Sequence, residues 1–387
     1  MKKKCLIVFK WPIDLHSFII NKFSKFYDTE YIYLNKFKEQ TYSEIIDEIN
    51  KLIQSKNCEI VFFDVDSIKL INFFFINKIK NVKKILMTFD DTTVHEMNSI
   101  TASACDLVIT HCPSSALKYK EKGYEAHNMF LENDVNIFKN YNLKKDIDVL
   151  FFGRINSTRR EFLNFIEKSE INIKIVGGNE NFIPLNELSK LISKSKIVLN
   201  LSKTTKDSVS NFSIGNIYNF YYELKGRVII AGLCGTLCVS EYFPDHEIMF
   251  KENELPIFYT KEECIKILKK LLYDSEMLQK NTEKFCFKIL NSYEENKNFQ
   301  PIYNAIEKIN SNKVKLIKFP YWYLRIVAKQ IIKRNINIKT FFKTISQFKQ
   351  ILEILKNSSL YIKFLILIET FINIFWYSLL PIIKSKK

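Results

Sequence analysis

Asp148-Val149-Leu150-Phe151-Phe152-Gly153-Arg154 is the stretch from which the fold can be read. After Asp148, four apolar residues run into a glycine, and an arginine follows at once. That pattern predicts a buried strand, Asp148–Phe152, closed by a tight corner. Only 8 of the 387 residues are glycine, so a glycine at a strand end is more informative than usual. Downstream the pattern repeats: a helix from Thr158 to Ser169, a strand Ile173–Val176, a helix near Leu185–Ser193, and a strand Ile197–Asn200. A loop, Ser202–Asn216, precedes a helix expected over Tyr218–Ile230. Apolar runs Cys234–Ser240, Ile248–Phe250 and Ile257–Phe258 read as strands before a helix Lys261–Asp274.

Upstream the chain reads the same way. Strands are expected at Cys5–Phe9, Tyr31–Leu34, Ile60–Phe63, Lys84–Thr88, Leu107–Thr110 and His127–Met129. Helices are expected near His16–Tyr27, Tyr42–Gln54, Lys69–Lys80 and Ser114–Lys122. Alternation of this kind predicts parallel sheets wrapped by helices. The polar segment Glu132–Asp146 reads as a linker. The expected fold class is α/β, two Rossmann-like domains (1–135 and 145–300) facing a cleft, followed by a basic, apolar helical tail (313–387).

Charge separates the tail from the body. Residues 313–387 hold fifteen Lys and Arg against Glu353 and Glu369, so +13 of the formal +16 lies there and the rest carries +3. Basic residues alternate with Phe, Ile, Trp and Tyr at helical spacing, as in helices that lie among lipid headgroups. Each Lys or Arg near an anionic leaflet contributes roughly 1 kcal/mol, so a fraction of them suffices for attachment. The rival expectation is that these helices pack onto the body or form a dimer interface. Phe364–Ile383 is about long enough to span a bilayer, while Glu369 makes spanning costly. Nucleic acid also attracts basic segments, but no nucleic-acid motif is present and the apolar content fits lipid better.

Other classes fall away. Eight scattered cysteines without a CxxC pair, and five dispersed histidines without HExxH, argue against zinc and against a disulfide framework. Lys2-Lys3-Lys4 followed by Cys5–Phe9 is too short an apolar run for a secretory leader, since Lys10 and Trp11-Pro12 end it; it reads as a first buried strand.

The second half resembles the glycosyltransferase group-1 C-terminal domain, in its spore-maturation-type branch. The residues that carry the resemblance are Asp148–Arg154 with Arg159-Arg160, Ile175-Val176-Gly177-Gly178, Leu199-Asn200-Leu201-Ser202, Lys225-Gly226-Arg227-Val228 through Cys234-Gly235, and Ser240-Glu241-Tyr242 with Glu247. A weaker match extends through Asp90-Asp91, Cys105–Val108 and Lys122-Gly123-Tyr124, so the ordered set covers about residues 88–295. The resemblance implies a GT-B fold, a nucleotide-diphosphate sugar as donor, no tightly bound cofactor, no metal, and a retaining reaction in which the departing phosphate helps deprotonate the acceptor.

A leaving diphosphate needs cations and backbone N–H groups around it. Gly153 allows backbone to approach a phosphate, and Arg154 can pair with it bidentately. Arg159 or Arg160 is a second candidate. Lys225 or Arg227 is implied to touch phosphate or sugar hydroxyls, and Glu247 matches a family position. Where the family usually has a glutamate for the ribose, this chain has Ile230. In the first half, Asp90, Asp91 and His95 follow a strand and are candidates for holding the transferred sugar or assisting the acceptor hydroxyl; helix capping by Asp90 or Asp91 is the competing reading. The expected function is sugar transfer to a surface glycan, as in polysaccharide or lipopolysaccharide assembly, or to a lipid-linked acceptor at the cytoplasmic face of an anionic membrane. The rivals are a non-catalytic scaffold of the same fold, which Ile230 motivates, and a nucleic-acid-associated protein.

Overall fold

The structure is a computed structural model. It describes all residues except 1, 14, 38–39, 66–70, 90, 131–133, 178–182, 204–220, 294, 310–317, 334–340 and 385–387; side chains are additionally left aside at 15, 65, 93, 295–298, 333, 341–347 and 374–384. The first half alternates β1 (Lys4–Phe9), α1 (Leu15–Ser24), β2 (Asp28–Tyr33), α2 (Tyr42–Lys56), β3 (Ile60–Val65), α3 (Phe73–Asn77), β4 (Lys83–Thr88), α4 (His95–Ala102), β5 (Leu107–Thr110), α5 (Pro113–Glu121) and β6 (Ala126–Asn128). The second continues with β7 (Ile147–Phe152), α6 (Ser157–Glu167), β8 (Ile173–Val176), α7 (Leu185–Ser193), β9 (Ser195–Asn200), α8 (Arg227–Leu233), β10 (Leu237–Glu241), α9 (His246–Met249), β11 (Ile257–Phe258), α10 (Lys261–Tyr273) and α11 (Ser275–Tyr293). Four helices follow: α12 (Glu295–Lys308), α13 (Tyr321–Lys333), α14 (Phe341–Ile354) and α15 (Leu360–Lys384).

Local chemistry explains the elements. In α2 Thr41 and Glu44 form a reciprocal capping box, Ile45, Ile46, Ile49 and Ile53 are buried on one face, and Asn57 ends the helix in the left-handed region. In the first sheet successive residues feed opposite cores. Leu6, Val8, Val61, Phe63 and Leu86 point to one, and Cys5, Ile7, Phe9, Phe62 and Met87 to the other. Both sheets are wholly parallel, in the orders β2-β1-β3-β4-β5-β6 and β11-β10-β9-β7-β8. Each therefore has one place where the chain winds off in two directions, between β1 and β3 and between β7 and β9. Ligands of doubly wound sheets bind outside the strand carboxyl ends at such points.

Three expectations change. Ile248–Phe250 is not a strand: the Asp245 carbonyl accepts from Ile248 and Met249 and starts α9. The helix expected over Tyr218–Ile230 begins only at Arg227, because Glu223 N–H instead bonds the Ser202 carbonyl at 3.1 Å and Tyr222 pairs with Lys203; residues 218–220 lie outside the described set. The helix expected over Lys69–Lys80 shortens to α3, whose start is set by Asn72 Oδ1 accepting from Phe74 and Phe75. That cap makes the helix begin where the polar side chain is.

The tail returns to the first sheet. Phe299, Ile302 and Ile306 of α12 enter the core shared with α1. On the other face Tyr323, Leu324, Val327, Ala328, Ile331 and Ile332 of α13 are buried with Ile351, Ile354 and Ile366. Phe73 N–H donates to the Tyr323 hydroxyl at 2.9 Å. Each fully buried large apolar side chain contributes roughly 1.5–3 kcal/mol, so α13 is part of the body. Glu369, the acid that interrupts the last apolar run, accepts from Arg325 and Tyr321 and ties α15 to α13. The opposite face of α15 presents Leu360, Tyr361, Phe364, Ile368, Phe371 and Ile372 to solvent. Among the described residues no helix is long and apolar enough to cross a membrane.

Candidate functional site

The winding point of the second sheet collects basic side chains. Gly153, just past β7, has φ +120°, and a Cβ there would stand 3.1 Å from Nη2 of Arg227. Gly177, past β8, has φ +110°, and a Cβ there would fall 2.5 Å from the Gly153 carbonyl oxygen. The two corners thus press together, and only glycine permits both the dihedral and the approach. Arg227, first residue of α8, lies against this corner with its guanidinium over the Phe151 ring at 5.0 Å. Its Nη1 donates to Asn200 Oδ1 at 2.9 Å and to the Leu201 carbonyl at 3.3 Å.

Arg159 reaches the same place from α6. It donates to the Arg154 carbonyl at 2.8 Å and to the Leu201 carbonyl at 3.3 Å, and Asn156 fixes its backbone by capping α6. Both arginines are buried. Burial first, and the charge of Arg159 second, push the Arg227 guanidinium down to about 9; Cys238 and Glu241 oppose this. Among the described residues no ion pair forms on Arg227. Two buried cations are thus held side by side, both donating to the Leu201 carbonyl.

Three buried carboxylates belong to the same half. Glu241, at the end of β10, is buried and accepts from the backbone N–H groups of Ser202 and Lys203, both at 2.9 Å. Burial raises its pKa despite these donors. Glu223 is buried and paired with Lys225 at 2.6 Å. Asp245 reaches across to the first half, where its Oδ1 accepts from Ser114 N–H at the start of α5, at 2.6 Å. The Cys112 thiol beside it is pushed up by burial and then by the charges of Asp245, Glu223 and Asp91, so the seam between the halves brings these carboxylates near one another.

Asp91 is fully buried. Its carboxylate takes Asn98 at 2.6 Å and Tyr119 at 3.0 Å on one oxygen, and His95 at 2.8 Å on the other. Burial opposes its ionisation, but the bonds from His95 and Asn98 with the His95 charge outweigh it, and the carboxyl lies below its ordinary range. Asp91 therefore links α4 to α5, and it provides no side-chain cap to α4, whose N-cap is Val94. Asp90 lies outside the described residues.

Of the residues singled out from sequence, Gly153, Arg159 and Arg227 come together. Lys225 stands two residues before Arg227, with its ammonium held by Glu223. Arg154 contributes its carbonyl to the site, its side chain being exposed, and Glu247 is exposed on α9. Ile230, in place of the family's glutamate, is buried within α8. Glu241 and Asn200 escaped notice as site residues, although both lie inside the quoted motifs; their part depends on which strand ends become neighbours. Among the described residues no cluster of three or more His, Cys, Asp or Glu is gathered to hold a metal ion.

The fold is shared with solved glycosyltransferase structures. HepE of Anabaena, in complex with UDP and glucose, superposes with a TM-score of 0.56 at 8% identity over 79% of this chain and 100% of that one. A glycosyltransferase from Rickettsia africae gives 0.55 at 13%, over 80% and 100%. Sucrose-phosphate synthase from Thermosynechococcus elongatus gives 0.54 at 8%, over 79% and 98%. Residues 158–302 match the family described as glycosyl transferase-like. The chain has the GT-B fold, and it is residues 158–302 that are similar to the glycosyl transferase-like family. No curated protein matches its sequence. The GT-B frame accounts for the paired winding points, and the family match begins just after the Gly153 corner and takes in Arg159, Arg227 and Glu241.

Proposed function

We propose that this protein transfers a sugar from a nucleoside diphosphate sugar to a hydroxyl acceptor, with residues 145–300 holding the donor and residues 1–135 facing the acceptor. The observation that carries the reading is the convergence of Arg227 and Arg159 on Gly153 at the β7/β9 winding point. A diphosphate placed there meets two cations already desolvated, which stabilise charge as it develops on the leaving group. The bond from the anomeric carbon to the diphosphate breaks, a bond to the acceptor oxygen forms, and the acceptor proton passes to a departing phosphate oxygen. The outcome at that carbon is retention, as the family resemblance implies, and no protein nucleophile or metal is assigned. UDP is the first nucleotide to try, because HepE was solved with it.

The acceptor is proposed to be a surface glycan or its lipid-linked precursor, reached at an anionic inner membrane face. With α13 buried, that contact narrows to the exposed apolar stripe of α15, among tail charges of +13. A helix held by one face and apolar on the other lies in the plane of the headgroups.

Calorimetry with UDP-, GDP- and CMP-sugars tests the donor assignment. Binding of one class with release of its nucleotide is expected. Failure of every donor to bind would return the protein to the scaffold reading.

A further inference from the structure

The first sheet has its own winding point, between β1 and β3, and a polar pair sits on it. His16, two residues into α1, bonds Asp64 near the end of β3 through Nε2 and Oδ2 at 3.1 Å. The two side chains are 3% and 4% exposed. The imidazole lies flat on Phe9 at the end of β1, with centroids 3.8 Å apart and an interplanar angle of 18°, and Tyr33 from the end of β2 stands 5.7 Å away. Three adjacent strands thus deliver one group each to the same spot. His16 Nδ1 is buried without a hydrogen-bond partner. Buried polar atoms are nearly always bonded, so this one calls for an explanation.

In the neutral imidazole, with Nε2–H donating to the Asp64 carboxylate, the lone pair resides on Nδ1, which then accepts. The aromatic rings of Phe9 and Tyr33 offer beside it a surface suited to C–H groups. An atom that donates a hydrogen bond and carries apolar C–H neighbours is a carbinol, the repeating unit of sugars and polyols.

We propose that His16, oriented by Asp64, is the hydrogen-bond acceptor for a hydroxyl of the acceptor sugar or polyol at the β1/β3 winding point. This rests on the transferase reading and adds to it the residue that holds the acceptor hydroxyl and the one that orients it. His16 touches the ligand; Asp64 is a positioning residue that fixes the tautomer and the ring plane. The site lies at the position in the first sheet that Gly153, Arg159 and Arg227 occupy in the second, so one positional rule places both halves of the reaction.

The full chain, labelled with nitrogen-15 in its histidines, is titrated with n-octyl β-D-glucoside, with and without UDP. Of the five histidine signals, the His16→Gln spectrum identifies the relevant pair. The expected result is a saturable shift of His16 Nδ1. His16→Phe, which keeps the stack on Phe9, is expected to weaken glucoside binding roughly tenfold, the loss of about one hydrogen bond, and to change UDP affinity less than about twofold. Unmoved His16 signals in the native chain, or wild-type glucoside affinity in His16→Phe, would overturn the proposal. Because the native-chain titration needs no substitution, misfolding of the variant leaves it decisive. Failure of UDP alone to bind would count against the donor site and not against this one.

Discussion

Replacing Arg227 by methionine separates the anion-binding reading from an ordinary structural arginine. The side chain is buried, and burial pushes its guanidinium down to about 9. Holding a charge out of water costs several kcal/mol in the empty protein, as an order of magnitude. Methionine removes that strain at similar length but strands Asn200 Oδ1 and one bond to Leu201, each costing about 1–3 kcal/mol. The terms nearly cancel, so unfolding free energy in the absence of ligand should move by no more than about 2 kcal/mol in either direction. Catalysis should behave otherwise. Loss of one preorganised charge partner for a developing anion lowers turnover by about 10²–10³. Ligand linkage should vanish too: UDP at a hundred times its dissociation constant stabilises the wild type by about 2.7 kcal/mol, and the variant should show almost none of this. Thermal denaturation with and without UDP, run beside nucleotide release from the donor, reads all three quantities. A variant that is strongly destabilised yet keeps its UDP-induced stabilisation and turnover would refute the reasoning.

Further outcomes follow from the same geometry. Asp91→Asn should cost about 2–3 kcal/mol at neutral pH by weakening the bonds to His95, Asn98 and Tyr119. Asp91 has a depressed folded pKa, so its contribution is present above the ordinary carboxylate value and lost as pH falls through the folded one. The gap between wild type and variant in denaturant melts should close in acid, and a gap independent of pH would contradict the assignment. Gly153→Ala, strained by φ +120° and crowded by Arg227, should lose about 1–3 kcal/mol and weaken donor binding, read by melting and calorimetry. Phe364→Glu with Phe371→Glu should abolish sedimentation with phosphatidylglycerol vesicles while leaving the melting temperature within a few degrees of wild type, since both side chains face solvent. Truncation after residue 358 should fold, whereas truncation after 312 should not, because the latter removes Tyr323 and the rest of α13 from the core.

Sequence alone determined the two alternating β/α series, the motif order of the second half and the concentration of charge beyond residue 312. These depend on local periodicity, corner glycines and composition, which need no knowledge of neighbours. Arg227 and Arg159 were legible as candidates because each lies in an ordered motif next to a strand end. Only the tertiary structure decided that both donate to the same Leu201 carbonyl, that Lys225 is engaged by Glu223, and that Glu241 accepts from the backbone of Ser202 and Lys203. It also decided that Asp91 is wrapped in three bonds, and that α13 belongs to the body while α15 alone offers an apolar face. His16 and Asp64 stand 48 residues apart and carry no motif. Their pairing exists only because β1 and β3 become neighbours, and strand order is a long-range choice that no window of the chain encodes.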